Sequence, residues 1–164
     1  MYKIFYFFLF FFFIICRVNS EIIKEVKIIN NDRITKETIL VFSDLKIGEN
    51  YDSNDLNKIL RDLYNTDFFS NISLSLDNGT LTIDVEENQI VQNIKINGIK
   101  KKELVEILKK QILLKDKNPF VQTYVKKDIE RIQKILKNSG YYFSNVTDQI
   151  IENDNNTVNV IFNI

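Results

Sequence analysis

Phe69-Ser70-Asn71-Ile72 recurs as Phe143-Ser144-Asn145-Val146, and each copy follows a helix-like segment and opens a strand-like one. The match extends upstream. Asp55-Leu56, Ile59, Leu63 and Asn65-Thr66 line up with Asp128-Ile129, Ile132, Leu136 and Asn138-Ser139, while Lys27-Ile28-Ile29-Asn30 lines up with Lys95-Ile96-Asn97-Gly98. The offset grows along the repeat: 68 residues from Lys27 to Lys95, 73 from Asp55 to Asp128, and 74 from Phe69 to Phe143. Such drift marks small insertions in the second copy, which loops absorb best. Two tandem units of about 70 residues read as separate modules, each a single supersecondary unit.

Within the first unit, Val26 and Ile28 share one face of a strand covering residues 22–29. Thr35 caps a short helix reaching about Phe42. Asp52 caps a longer one, with Asp55 in its first turn, and Leu56, Ile59, Leu60, Leu63 and Tyr64 form its core-facing stripe. A hairpin follows, in which Ile72, Leu74 and Leu76 alternate with Ser73 and Ser75, and Leu81, Ile83 and Val85 alternate with Thr82 and Asp84. Asp77-Asn78-Gly79 supplies the tight turn between them. The second unit repeats the order: a strand over residues 91–97, then a short helix with Leu104, Ile107 and Leu108 inward. Thr123 caps its long helix, striped by Val125, Ile129, Ile132 and Leu136, and a hairpin turns at residues 153–156. The fold class is α+β: two β-α-α-β-β modules over residues 21–87 and 88–164, each a three-stranded mixed sheet with two helices on one face.

Residues 1–20 read as a signal peptide. Lys3 gives a basic start, Ile4 to Ile15 is unbroken apolar sequence, and Val18 and Ser20 sit three residues and one residue before Glu21. Twelve helical residues span about 18 Å, short of the roughly 30 Å a membrane anchor must cross. Removing Lys3 and Arg17 from 22 basic side chains leaves 20 against 22 acidic ones, a net charge near −2. No strong positive field remains to draw nucleic acid. The sole cysteine, Cys16, leaves with the signal, and the chain has no histidine. Disulfides, thiolate or imidazole chemistry and the common zinc sites are therefore excluded, and no cofactor or metal is expected.

Glu86-Glu87 could act as paired acids, yet their place between the modules, without a neighbouring base, reads as a solvated linker. Lys100-Lys101-Lys102 and Lys109-Lys110 read as the wet face of a helix. Phe68-Phe69 and Tyr141-Tyr142-Phe143 fall at the same helix-to-strand corner in both units and read as core, with any outward ring free to serve the joint between modules. The functional candidate is an edge strand. Ile72, Ser73, Leu74, Ser75 and Leu76 carry small outward side chains and no charge, so an extended peptide could add alongside. Proline at Ser73 or Ser75 is expected to weaken such binding more than folding. Glu86, Glu87, Asn88 and Gln89 form the expected joint, polar enough to permit swing.

These residues resemble the periplasmic POTRA domains of the Omp85 family. The resemblance rests on Leu45-Lys46-Ile47-Gly48-Glu49-Asn50-Tyr51-Asp52, on residues 63–72 and 85–94, and on Asn97-Gly98-Ile99-Lys100-Lys101. Asn88 stands where such junctions often carry proline, and Asn30-Asn31 where the turn often carries Gly-Asn. The resemblance implies a non-enzymatic periplasmic arm that binds unfolded outer-membrane protein chains, accessory assembly lipoproteins or periplasmic chaperones. The family inserts its substrates through a C-terminal β-barrel in the outer membrane, for which this sequence holds no strands, so the chain reads as a fragment or a short natural relative. A segment of a two-partner-secretion or autotransporter-assembly transporter, and an anchored cell-division-type protein, remain alternatives.

Overall fold

A computed structural model describes residues 20–164; the signal-peptide reading lies outside the described residues. The elements run β1 (Glu21–Ile22), β2 (Glu25–Ile29), α1 (Lys36–Ser43), β3 (Asn50–Tyr51), α2 (Ser53–Tyr64), β4 (Phe69–Asp77) and β5 (Thr80–Glu87). They continue with β6 (Ile90–Asn97), α3 (Lys102–Gln111), α4 (Gln122–Asn138), β7 (Thr147–Asn153) and β8 (Thr157–Asn163). The sheet orders are β2-β5-β4 and β6-β8-β7. In each, the last strand of the module lies in the middle, parallel to the first and antiparallel to its hairpin partner. Two buried clusters with no shared residue fill the modules. Ile39, Ile59 and Leu63 of the helices meet Leu81, Ile83 and Val85 of β5, while Leu104, Leu108, Ile132 and Leu136 meet Val158, Val160 and Phe162 of β8. Both helices of a module thus cover the same sheet face.

Local chemistry sets the element ends. Thr35 Oγ1 accepts the Thr38 N–H. Asp52 accepts the N–H groups of Asn54 and Asp55, and Asp55 accepts the Asp52 N–H in return, a reciprocal capping box. The hairpin turn places Asn78 at φ 51° and Gly79 at φ 83°, the left-handed pair that matches strand twist.

Several expectations are corrected. β1 and β3, each two residues long, pair Glu21 with Tyr51 and Ile22 with Asn50; the second module repeats the feature as a single Ile90–Pro119 bridge. Strands so short leave no alternation to read. Thr123 lies inside α4, whose N-cap is Val121 without a side-chain cap, because the helix begins earlier than its polar signal. Ile107 is half exposed, since Leu104 and Leu108 already fill the inward positions of α3. Asp128, aligned with the exposed Asp55, is fully buried. Its carboxylate accepts the N–H groups of Leu113 (2.6 Å) and Leu114 (2.9 Å). α4 has 17 residues against 12 in α2, so the aspartate that opens one helix sits inside the other and caps a loop instead. Burial pushes the Asp128 carboxyl above its ordinary value even though those two N–H groups pull it down.

The repeated aromatic corner diverges most. Phe69 is 3% exposed within β4, whereas Phe143 is fully exposed. α4 ends in a Schellman motif: Tyr141 N–H reaches back to Leu136 O, with Gly140 at φ 92°. The chain then needs the longer stretch to Thr147 before pairing, so Val146, not Phe143, enters the core. Phe69→Ala is expected to lower unfolding free energy by about 3–5 kcal/mol, and Phe143→Ala to leave it within about 0.5 kcal/mol. Urea unfolding of the two variants compares them directly.

Candidate functional site

β4 lies at the open edge of its sheet, as the sequence suggested. Backbone direction alternates along a strand, so only every second residue of β4 can offer its N–H and C=O outward. Two observations fix which. The two-residue turn is closed by the Asp77–Thr80 pair, and the closing pair of such a turn is bonded across the hairpin. Independently, Ile72 N–H donates away from β5, to the Tyr64 hydroxyl at 3.0 Å. Ile72, Leu74 and Leu76 therefore face the open edge, and Ser73 and Ser75 bond towards β5. The proline expectation is corrected accordingly: at Ser73 or Ser75 it would remove a ladder hydrogen bond and damage folding. The side chains of Ser73 and Ser75 are exposed, that of Ile72 is buried, and those of Leu74 and Leu76 are half-buried. Tyr64 does not join the core stripe. It stands 41% exposed at the end of α2 and reaches round to the edge.

The joint is not a solvated linker. Glu87 extends an almost buried side chain, 3% accessible, into the loop ahead of α1. Its Oε1 accepts three consecutive N–H groups, from Asp32 (3.0 Å), Arg33 (2.8 Å) and Ile34 (2.8 Å), and Oε2 accepts Arg33 Nε at 3.0 Å. Burial alone would raise the Glu87 carboxyl, but the N–H groups of Ile34 and Arg33 and the guanidinium outweigh it and hold it below the usual value. Glu86, by contrast, stays exposed and uses its carbonyl to accept the Ser70 hydroxyl.

Asn88 is fastened to the first module. Its N–H donates to Phe68 O (2.8 Å), its side-chain amide to Asp67 O (2.8 Å), and its own carbonyl accepts the Arg33 guanidinium. A proline here would lose the first bond. From Gln89 the contacts change sides, since Gln89 O accepts Phe120 N–H at 2.7 Å. One side-chain bond spans the modules, from the Tyr124 hydroxyl on α4 to Asp67 Oδ2 at 2.7 Å, and this acceptor lifts the Tyr124 pKa. A cleft of about 730 Å³ opens across the joint, bordered by Ser70, Asn71 and Ser73 of β4, by Glu86 and Gln89, and by Glu152. Among the described residues, no three His, Cys, Asp or Glu side chains converge as a metal site, and no helix is long and apolar enough to cross a membrane.

Sequence reasoning missed Tyr64, Tyr124 and Asp128. The repeat alignment held a signal for the last two, because Tyr124 aligns with Tyr51 at the same 73-residue offset as Asp128 with Asp55.

The folded state prefers Glu87 ionised. Its stabilisation is complete above the ordinary carboxyl value near 4.5 and is lost as pH falls through the lower folded value. Glu87→Gln should lower stability by about 1–3 kcal/mol at neutral pH and flatten the acid limb, as read by urea midpoints from about pH 7 to about pH 3. Tyr124→Phe should leave both cores intact yet broaden the relative orientation of the modules, as measured by residual dipolar couplings.

Comparison with known proteins agrees with this fold. The family model described as POTRA, surface antigen variable number repeat, matches residues 21–88 and again 89–164. The outer membrane protein assembly factor BamA of Neorickettsia risticii (strain Illinois) is 25% identical over 136 residues, covering 83% of this chain. The chain spans 18% of that relative's length. The N-terminal domain of Omp85 from Thermosynechococcus elongatus superposes with a TM-score of 0.59 at 14% identity, over 88% of this chain and 63% of that one. POTRA domains 1–2 of Omp85 from Anabaena give 0.54 at 15% identity, over 88% and 95%. With both modules matched end to end, the chain belongs to the POTRA family.

Proposed function

We propose that this chain is a periplasmic receiving arm of a BamA-like assembly factor. It takes up extended segments of unfolded outer-membrane protein chains by adding them as a fourth strand beside β4. Accessory assembly lipoproteins or periplasmic chaperones would meet the same arm, and the role is binding, not catalysis. The single observation that supports this reading most is the open edge. Leu74 and Leu76 present their N–H and C=O groups outward, and no other strand among the described residues lies against them. Such an edge is a template for strand addition. The small side chains of Ser73 and Ser75 leave its solvent face unobstructed, and the neighbouring cleft gives an incoming chain room to pass the joint. The similarity to an outer membrane protein assembly factor supports this choice of client class.

Adding a urea-unfolded outer-membrane β-barrel protein to the folded chain should slow amide hydrogen exchange at Leu74 and Leu76 several-fold. Slowing confined to β2, β6 or β7, or none in any of the four edge strands, would overturn the reading.

A further inference from the structure

Tyr64 gives the β4 edge a feature that no part of the proposed function requires. Its hydroxyl sits 3.0 Å from Ile72 N, on the line of the outward N–H, in the place where the carbonyl oxygen of an added strand would have to lie. The same hydroxyl lies 3.5 Å from Asn71 Oδ1, and it turns a lone pair to the Ile72 N–H. Of the outward N–H groups of Ile72, Leu74 and Leu76, the first is thus already satisfied by an internal acceptor. The ring is 41% exposed, lies at the last residue of α2 and is not among the side chains packed against the core of Leu63 and Ile59.

The second module does not repeat the device. Lys137 follows Leu136 as Tyr64 follows Leu63, and the β7 edge instead carries exposed Asp148 and Glu152. Charge on an edge strand disfavours pairing along it. A single hydroxyl blocks one rung and leaves the rest usable.

Resting on strand addition at β4, we propose that Tyr64 is the positioning residue of that edge. It acts as a built-in competitor that ends the added strand at Leu74 and so fixes its register. A short extended segment pairs with Leu74 and Leu76 freely. A longer one gains the Ile72 rung only by displacing the hydroxyl.

The test uses two synthetic probes of alternating valine and threonine flanked by lysines, one long enough to cover Leu74 and Leu76 and one reaching Ile72. In the free protein, Ile72 should exchange its amide hydrogen more slowly than Leu74 and Leu76, and Tyr64→Phe should abolish that difference. Tyr64→Phe should then tighten binding of the long probe by roughly 2- to 10-fold, the worth of one backbone hydrogen bond, and leave the short probe unchanged. A purely structural tyrosine would shift both probes alike or neither. If both probes protect Leu74 and Leu76 but Tyr64→Phe changes their affinities equally, the positioning role is overturned and strand addition stands. If neither probe protects Leu74 or Leu76, strand addition at β4 is overturned and the role of Tyr64 goes with it.

Discussion

The Glu87 carboxylate holds together what the rest of the first module and its connection depend on. It ends the central strand β5, and three consecutive N–H groups of residues 32–34 converge on one of its oxygens. Successive backbone N–H groups of this kind form a concave anion site, here filled by the protein's own side chain. The bond set couples three things at once: the end of β5, the loop that follows β2, and the start of α1 at the Thr35 cap. Arg33, drawn in by Glu87, also reaches the Asn88 carbonyl, so the clamp extends into the junction itself. With no cysteine among the described residues to staple so small a core, one carboxylate that is almost wholly desolvated and fully partnered is an economical way to fix an otherwise polar corner.

From that corner the second module is placed by two contacts of different kinds. Asn88 is pinned to the Asp67 and Phe68 carbonyls, and Tyr124 returns from α4 to the Asp67 carboxylate. Both converge on one residue, Asp67, which sits at φ 61°. The left-handed turn there aims its carbonyl at Asn88 and its side chain at Tyr124. The repeat makes the division of labour visible. Tyr51, the counterpart of Tyr124, uses its hydroxyl within its own module to accept Lys46 N–H. The longer α4 carries the same tyrosine outward, where it serves a neighbour.

Much of the fold was legible because the relevant signals are local or periodic. The Asp52 capping box, the Asn78-Gly79 turn and the alternation of Leu81, Ile83 and Val85 each declare themselves within a few residues. The repeat supplied the module count and the element order. What the sequence hid depends on geometry between distant segments. Glu87 looked like a solvated acid because its partners lie more than fifty positions away. Phe143 looked like Phe69 because the motif survived while the connection around it lengthened. Tyr64 fits the helical stripe by spacing, and only the position of Ile72 N–H shows that the stripe ends one residue earlier. The candidate edge was found for a sound reason, an uncharged strand with small outward groups. The expectation for proline at Ser73 and Ser75 was inverted, since side-chain exposure and backbone direction are separate properties of a strand.

That inversion explains how the two edges of similar modules come to differ. In β4 the half-buried Leu74 and Leu76 point their side chains towards the helices while their backbones face the open edge. Packing and pairing therefore fall on the same residues. A charge cannot be placed there to protect the edge without being driven into the core, and a proline would sacrifice an apolar contact. With small serines on its solvent face, the strand is guarded by a side chain brought from elsewhere, Tyr64 in the last turn of α2. β7 is under no such constraint. Its side chains are largely exposed, so Asp148 and Glu152 sit on the strand itself at little cost. A guard that is borrowed can be withdrawn, whereas a charge built into the strand cannot. The same packing that denies β4 a permanent block leaves it the edge able to open.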